Sequence, residues 1–311
     1  MATVAQWVEG ARPRTLPASV APVLVGTGFA IWWGRFDWLV ALLALIVSLA
    51  LQVGVNYSND YSDGVRGTDN ARVGPVRLVG QGLAPAKTVL RAALLSFAVA
   101  AIAGFTVVAI TGHWWLLLVG AAAIAAAWFY TGGPRPYGYA GLGEIFVFVF
   151  FGIVATGGTA YLQVASGPLV WGNYIELLII SLPIGLLSVA ILIANNLRDI
   201  PGDTEAGKHT LAVRLGDRRT RVFYQAMIVL TFASLGLVAW IGAYYGLIAL
   251  AAIVVAIRPM TIVRSGAVGR DLIPVLAGTG RLLLIFAVLL AVGLATSPSY
   301  DGPENTVWSK G

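Results

Sequence analysis

Long apolar stretches, separated by short polar connections, restrict this chain to very few folds. They run at about 15–33, 37–58, 88–111, 114–131, 142–165, 173–196, 222–243, 245–263 and 273–296. Each is close to the roughly 20 residues that carry a helix across a hydrocarbon core. The expected class is therefore all-α: a polytopic membrane protein built as a bundle of nine transmembrane helices. Composition agrees, because 58% of the 311 residues are hydrophobic and only 11% are charged. A soluble domain carries roughly 25% charged residues, so lipid is the solvent for most of this surface. We expect one transmembrane domain over 1–296, followed by an extracytoplasmic tail at 297–311.

The charges set the orientation. Eighteen of the twenty Lys and Arg fall on the side of the N-terminus, and only Arg35 and Lys310 fall on the other. The positive-inside rule places that basic side in the cytoplasm, so the N-terminus is cytoplasmic and the C-terminus is outside in a cell (plasma) membrane. The net charge of +6 then reflects topology and anionic lipid, with no call for a nucleic-acid partner. Trp32, Trp33, Trp38, Trp114, Trp115, Trp171 and Trp240 stand near span ends, as interfacial anchors do. No cleavable leader is read in the first residues, which suggest a short interfacial helix with Trp7 and Val8 on its apolar side.

With no cysteine, disulfides, thiolate metal sites and catalytic thiols are excluded. The two histidines, His113 and His209, supply little for zinc or Ser-His-Asp chemistry. Carboxylates carry the signal instead. Asp60, Asp63 and Asp69 lie in NYSNDYSDGVRGTD, directly after the second apolar stretch. Asp199, Asp203 and Glu205 lie in NNLRDIPGDTEAG, directly after the sixth. These six are almost half of the fourteen acidic residues.

Their spacing is helical. Asn56 and Asp60, Asn59 and Asp63, Asn195 and Asp199, and Asp199 and Asp203 are each four apart, and residues at i and i+4 share a helix face. Two like charges 4 Å apart repel by about 4 kcal/mol at an effective dielectric of 20, so such clusters need a cation. Oxygen donors without Cys or His suit a hard ion such as Mg²⁺, which leaves coordination sites for water and phosphate. With Arg66, Arg72, Arg77, Arg198 and Lys208 interleaved, the two segments read as a metal-bridged diphosphate site. The segments also suggest an internal duplication, NDYSD…GTD…RLVGQG against NNLRD…GD…LAVRLG.

At these residues the chain resembles the UbiA superfamily of intramembrane prenyltransferases. Asn59-Asp60-Tyr61-Ser62-Asp63, with Asp69 beyond, resembles its NDxxDxxxD motif, and Asp199 to Asp203 resembles its DxxxD motif. YTGGPRPYGYAGLGE, after the fourth stretch, is a third similar segment. One position departs: four residues after Asp63 stands Gly67, and the next carboxylate is Asp69. Within the superfamily the segments are most similar to the menaquinone branch. The resemblance implies Mg²⁺-dependent transfer from a polyprenyl diphosphate to 1,4-dihydroxy-2-naphthoate, with decarboxylation. It implies Asn59, Asp63, Asp199, Asp203 and Asp69 as metal ligands. Asp60, Asp63, Asp199 and Asp203 are the expected catalytic carboxylates. Asn56, Arg72, Arg77, Tyr130, Arg135, Tyr139, Asn195, Asn196, Arg198 and Lys208 are the expected substrate contacts. The basic residues serve topology equally well, and the tyrosines serve equally well as interfacial belt residues. Glu144 is placed to touch substrate, but it also opens a helix, where the macrodipole favours a carboxylate.

Three rivals stand beside this reading. One is a different acceptor: 4-hydroxybenzoate, homogentisate, haem, a glycerol lipid or a chlorophyll precursor. Another is an ion-coupled transporter, which predicts acids at helix centres. The third is a CDP-alcohol phosphotransferase, whose continuous DGxxAR…GxxxDxxxD run is missing around Asp63-Gly64-Val65-Arg66.

Overall fold

A computed structural model describes residues 2–67, 76–165, 169 and 171–298. Among the described residues the regular structure is all helical, without strands. We label the elements α1 (Val4–Gly10), α2 (Pro17–Trp32), α3 (Trp38–Arg66), α4 (Ala86–Thr111) and α5 (Leu116–Phe129). They continue as α6 (Gly143–Val164), α7 (Trp171–Glu205), α8 (Leu211–Trp240), α9 (Tyr244–Arg264) and α10 (Gly269–Thr296). Seven of these, α3, α4 and α6 to α10, are long and apolar enough to cross a bilayer. An eighth candidate is a bent pair, Val4–Thr15 with Pro17–Trp32, which turns by 49°. The sequence-based count of nine also includes 114–131, where α5 has only 14 residues. At about 1.5 Å per residue it is some 21 Å long, short of the roughly 30 Å core. The chain is a multi-pass membrane protein.

The short N-terminal helix forms as expected. Thr3 and Gln6 cap each other's backbone in a capping box. Trp7 packs edge-on against Tyr57, whereas Val8 is exposed rather than packed with it.

The packed centre lies between α2, α7, α8 and α10, where Phe29, Ile180, Leu187, Leu235, Leu282 and Phe286 are fully buried. Lipid is as apolar as these side chains, so close packing of atoms, more than water exclusion, holds such helices together. α7 is the axis of the bundle, with 78% of its apolar window buried. α6 approaches it closely where a Cβ on Gly152 would stand 2.9 Å from Gly185 Cα. Over Phe148–Gly157, α6 is π-helical. At 35 residues, α7 is about 52 Å long, so it outruns the hydrocarbon. α3, with 29 residues, does the same. Their polar C-terminal turns are these overhangs.

That geometry corrects one expectation. Asn59, Asp60 and Asp63 do not follow a helix; they belong to the last turns of α3, as Asp199 and Asp203 belong to those of α7. The i, i+4 spacing keeps the helix going past the apolar residues, and glycine stops it. Gly67 caps α3 with φ +73° and donates its N–H to Asp63 and Gly64 carbonyls. Gly207 ends the turn after α7 with φ +69°. The left-handed region is costly for any residue with a Cβ, which gives Gly67 a structural reason to stand where the superfamily motif has Asp.

Candidate active site

The two helix ends meet at one cavity of about 690 Å³. Its polar wall includes Asn59, Asp63, Arg77, Arg198, Asp203 and Lys208. Its long apolar wall is drawn from α3, α4, α5 and α6, with Val47, Leu51, Ala100, Ala123, Phe150 and Val154 among the lining residues. One cavity thus joins a charged mouth to an apolar interior.

Asp63 is the hub between the two halves. It is buried, accepts a hydrogen bond from the Tyr139 hydroxyl, and pairs with Lys208 Nζ at 3.5 Å. The Lys208 ammonium also lies 4.6 Å from the centre of the Tyr139 ring, a cation–π distance. Local backbone bonds fix this arrangement. Lys208 N–H donates to Asp203 O at 2.8 Å, and His209 N–H donates to Tyr139 O at 2.9 Å. Asn59 Oδ1 accepts from the Thr131 hydroxyl at 2.8 Å, while the Arg66 guanidinium donates to the Thr131 and Gly133 carbonyls. The third sequence segment is thereby tied to the first.

The α7 end is arranged internally. Arg198 grips Asp199 with two bonds, Nε to Oδ1 at 2.7 Å and Nη2 to Oδ2 at 2.8 Å. It also donates to Asn195 Oδ1 at 2.7 Å. Both members of this ion pair are almost wholly buried. A deeply buried carboxylate needs such a partner, because desolvating a lone charge is expensive.

The expected residues divide as follows. Asn56, Asn59, Asp63, Arg77, Tyr130, Tyr139, Asn195, Asn196, Arg198, Asp203 and Lys208 all line the cavity. Asp60 does not: it accepts the backbone N–H groups of Leu78 at 2.7 Å and Val79 at 3.1 Å, fastening the chain beyond α3. Asp199 stands behind Arg198, outside the lining. Arg135 is exposed and away from the lining, because the turn through Pro134 and Pro136 directs it to the surface. Asp69 and Arg72 lie outside the described residues. Sequence reasoning passed over Thr131, although it adjoins Tyr130 and is among the few hydroxyls in that segment. Tyr137, whose hydroxyl donates to Ala126 O at 2.8 Å, was passed over as well. Burial pushes its phenol up, so it remains a neutral donor.

No group of three or more His, Cys, Asp or Glu side chains, among the described residues, stands ready to hold a metal ion alone. The donors fit a different mode. Mg²⁺ usually takes one or two protein carboxylates and fills its octahedron with water and substrate phosphate. Oxygen donors from Asn59, Asp63 and Asp203 on one wall, with Arg77, Arg198 and Lys208 beside them, have the chemistry of a metal–diphosphate site.

Fold and cavity together define an intramembrane protein with one cavity that is charged at its mouth and apolar within. The chain belongs to the UbiA prenyltransferase family, whose model matches residues 19–266. It is 52% identical over 299 residues to the 1,4-dihydroxy-2-naphthoate octaprenyltransferase of Mycobacterium tuberculosis, covering 95% of this chain and 98% of that one. Identity to the Escherichia coli protein of the same name is 41% over 238 residues, or 74% and 75% of the two chains. Among solved structures, a UbiA homologue from Aeropyrum pernix K1 superposes with TM-score 0.68 at 16% identity, over 89% of this chain and 96% of that one. A homologue from Archaeoglobus fulgidus bound to GPP and Mg²⁺ gives TM-score 0.62 at 16% identity, over 94% and 100%. At that identity the likeness concerns the fold.

Proposed function

We propose that this membrane enzyme transfers a polyprenyl group from polyprenyl diphosphate to 1,4-dihydroxy-2-naphthoate, giving the prenylated naphthalenediol, the reduced form of demethylmenaquinone. One observation carries the reading. A single cavity has both acidic helix ends at its mouth and an apolar interior, in a chain half identical to naphthoate octaprenyltransferases along nearly its whole length.

Mg²⁺ would be held with the diphosphate by Asn59, Asp63 and Asp203, with Asp199 in reserve behind Arg198 and Asp69 beyond. Bound there, it supplies Lewis-acid stabilisation of the leaving charge. The chain's own residues do the rest. Arg77, Arg198 and Lys208 place fixed positive charge where the diphosphate departs. In the resting structure Lys208 and Arg198 pair with Asp63 and Asp199, which orients the carboxylates. Tyr139 holds Asp63 in place. The apolar walls exclude water from the allylic carbon as its bond to oxygen weakens. The ring carbon bearing the carboxylate then forms the new C–C bond as the allylic C–O bond breaks and pyrophosphate leaves, and loss of carbon dioxide returns its bonding electrons to the ring.

We also infer nine spans, with the short helices α2 and α5 crossing in a locally thinned bilayer. That count keeps the N-terminus cytoplasmic and the tail at 297–311 outside, with 1–296 as one domain. A reporter fused at the C-terminus should be inaccessible from the cytoplasm.

The test is purified protein in detergent with a prenyl diphosphate and a panel of aromatic acids, with products weighed. Prenylated naphthalenediol with stoichiometric pyrophosphate is expected, lost with EDTA and restored by Mg²⁺. Product from 4-hydroxybenzoate or homogentisate alone would reassign the acceptor. Turnover that survives chelation would remove the metal, and no pyrophosphate from any allylic donor would favour transport.

A further inference from the structure

Asn196 lines the cavity and its amide is engaged with α6. Its Nδ2 donates to Glu144 Oε1 at 3.1 Å, and both residues are only 6% exposed. A carboxylate accepts and an amide nitrogen donates, so Glu144 fixes which way the amide lies. Asn196 Oδ1 is left without a hydrogen-bond partner among the described residues. Glu144 Oε2 is buried and unpartnered among them. A buried acceptor without a donor is uncommon, and one linked to a second open acceptor on a cavity-lining residue points to a donor that arrives from outside.

The surroundings specify that donor. Asn196 is seven residues before Asp203 on α7, about 10 Å deeper along the axis than the carboxylate at the diphosphate mouth. Flat aromatic side chains cover the same region. Tyr137 stacks on Phe146 with ring centres 3.9 Å apart, and Phe146 stacks on Phe150 at 6.1 Å. A Cβ on Gly143, the residue before Glu144, would lie 3.5 Å from the Tyr130 hydroxyl. Tyr130, Tyr137, Phe146 and Phe150 all line the cavity.

We infer that the Glu144–Asn196 pair selects a hydroxyl-bearing aromatic acceptor: Asn196 Oδ1 receives a ring hydroxyl, and Glu144 is the positioning residue that presents it. This rests on the aromatic-acceptor reading above. Asn56, the corresponding residue of the first half, instead spends its amide on Ala11 O and Thr15 Oγ1. The open acceptor therefore lies on the α6–α7 side, and the acceptor ring is assigned to that side.

The experiment is steady-state kinetics of purified protein, varying 1,4-dihydroxy-2-naphthoate and the prenyl diphosphate separately, with a mono-O-methylated naphthoate as a second acceptor. Glu144→Leu is expected to raise the KM for the dihydroxy acceptor about tenfold. The KM for prenyl diphosphate should move less than twofold, and preference over the methylated acceptor should disappear. Glu144→Gln, which retains an oxygen to accept from Asn196, should recover most of the loss. Asn196→Leu added to Glu144→Leu should cost nothing further, since the two act as one unit. Equal changes in both KM values, additive losses, or retained preference in a Glu144→Leu protein that elutes and melts as wild type would overturn the inference alone. A wild-type protein that prenylates no hydroxyaromatic would overturn both this inference and the function on which it rests.

Discussion

The C-terminal ends of α3 and α7 are built on one pattern and wired in opposite ways. Asn56, Asn59, Asp63 and Gly67 in one correspond to Asn196, Asp199, Asp203 and Gly207 in the other, each 140 residues apart. Both ends close on a left-handed glycine, four residues after Asp63 in one and after Asp203 in the other. That register replaces the sequence pairing of NDYSD with NNLRD, which is offset by one helical turn. Within the shared pattern, the α3 end spends its side chains on distant segments: Thr131 on Asn59, Tyr139 and Lys208 on Asp63, Leu78 and Val79 on Asp60. At the α7 end Arg198 lies between its own neighbours Asn195 and Asp199, and Asn196 reaches across to Glu144. One helix end assembles the site and the other holds a charge ready. A duplicated pattern has thus acquired two tasks.

The strongest way to break this comparison is at the corresponding carboxylates that line the cavity. If Asp63 and Asp203 serve one metal–diphosphate site, Asp63→Asn and Asp203→Asn should each lower kcat on the order of 10²–10³-fold, the size of losing one group that stabilises transition-state charge. Full activity in either would remove that carboxylate from the site.

Asp199 should separate from both in stability. Asp199→Ala leaves the Arg198 guanidinium buried without its bidentate partner, a loss of about 3–5 kcal/mol that a thermal melt in detergent reads directly. Arg198→Leu combined with Asp199→Leu should recover the melting temperature without recovering turnover. A single Asp199→Ala variant as stable as wild type would show that the ion pair is not a resting-state clamp.

Asp60 has no charged counterpart, because position 200 is Ile200, packed against the apolar core. Asp60→Ala should therefore cost stability, about 1–3 kcal/mol for each buried amide left unpaired, while measurable turnover remains. Activity lost at undiminished stability would return Asp60 to the catalytic set.

What the sequence made legible follows from the same contrast. Apolar length announced the spans, and i, i+4 spacing announced that Asn59 and Asp63 share a face, because both signals are local in the chain. Local spacing could not separate Asp60 from Asp63: the two sit on the same helix end, and the difference lies in Leu78 and Val79, eighteen or more residues away. Nor could it show that Asp199 is covered by its own neighbour Arg198, since adjacent residues on a helix do not ordinarily face each other. The Glu144–Asn196 contact spans 52 positions and depends on the α6–α7 crossing at Gly152, which no motif encodes. Hydropathy marks 114–131 as apolar but not where its helix ends: turns such as the one at Tyr130–Thr131 set those ends, and α5 keeps 14 residues.

The smallest expected effect sharpens the comparison most, because it touches only the wiring. Asn59 corresponds to Asp199: a hydroxyl bonds the first and a guanidinium grips the second. Thr131→Val keeps the branched shape and removes only the donor to Asn59 Oδ1. A neutral hydrogen bond is worth about 0.5–1.5 kcal/mol, so kcat/KM for the prenyl diphosphate should fall about two- to tenfold, with the melting temperature nearly unchanged. The acceptor KM should stay level, since Asn59 belongs to the diphosphate mouth. If Thr131→Val instead changed the acceptor KM and left the diphosphate untouched, Asn59 would belong with Asn196 on the aromatic side. The division of labour between the two helix ends would then have to be drawn across the cavity rather than along it.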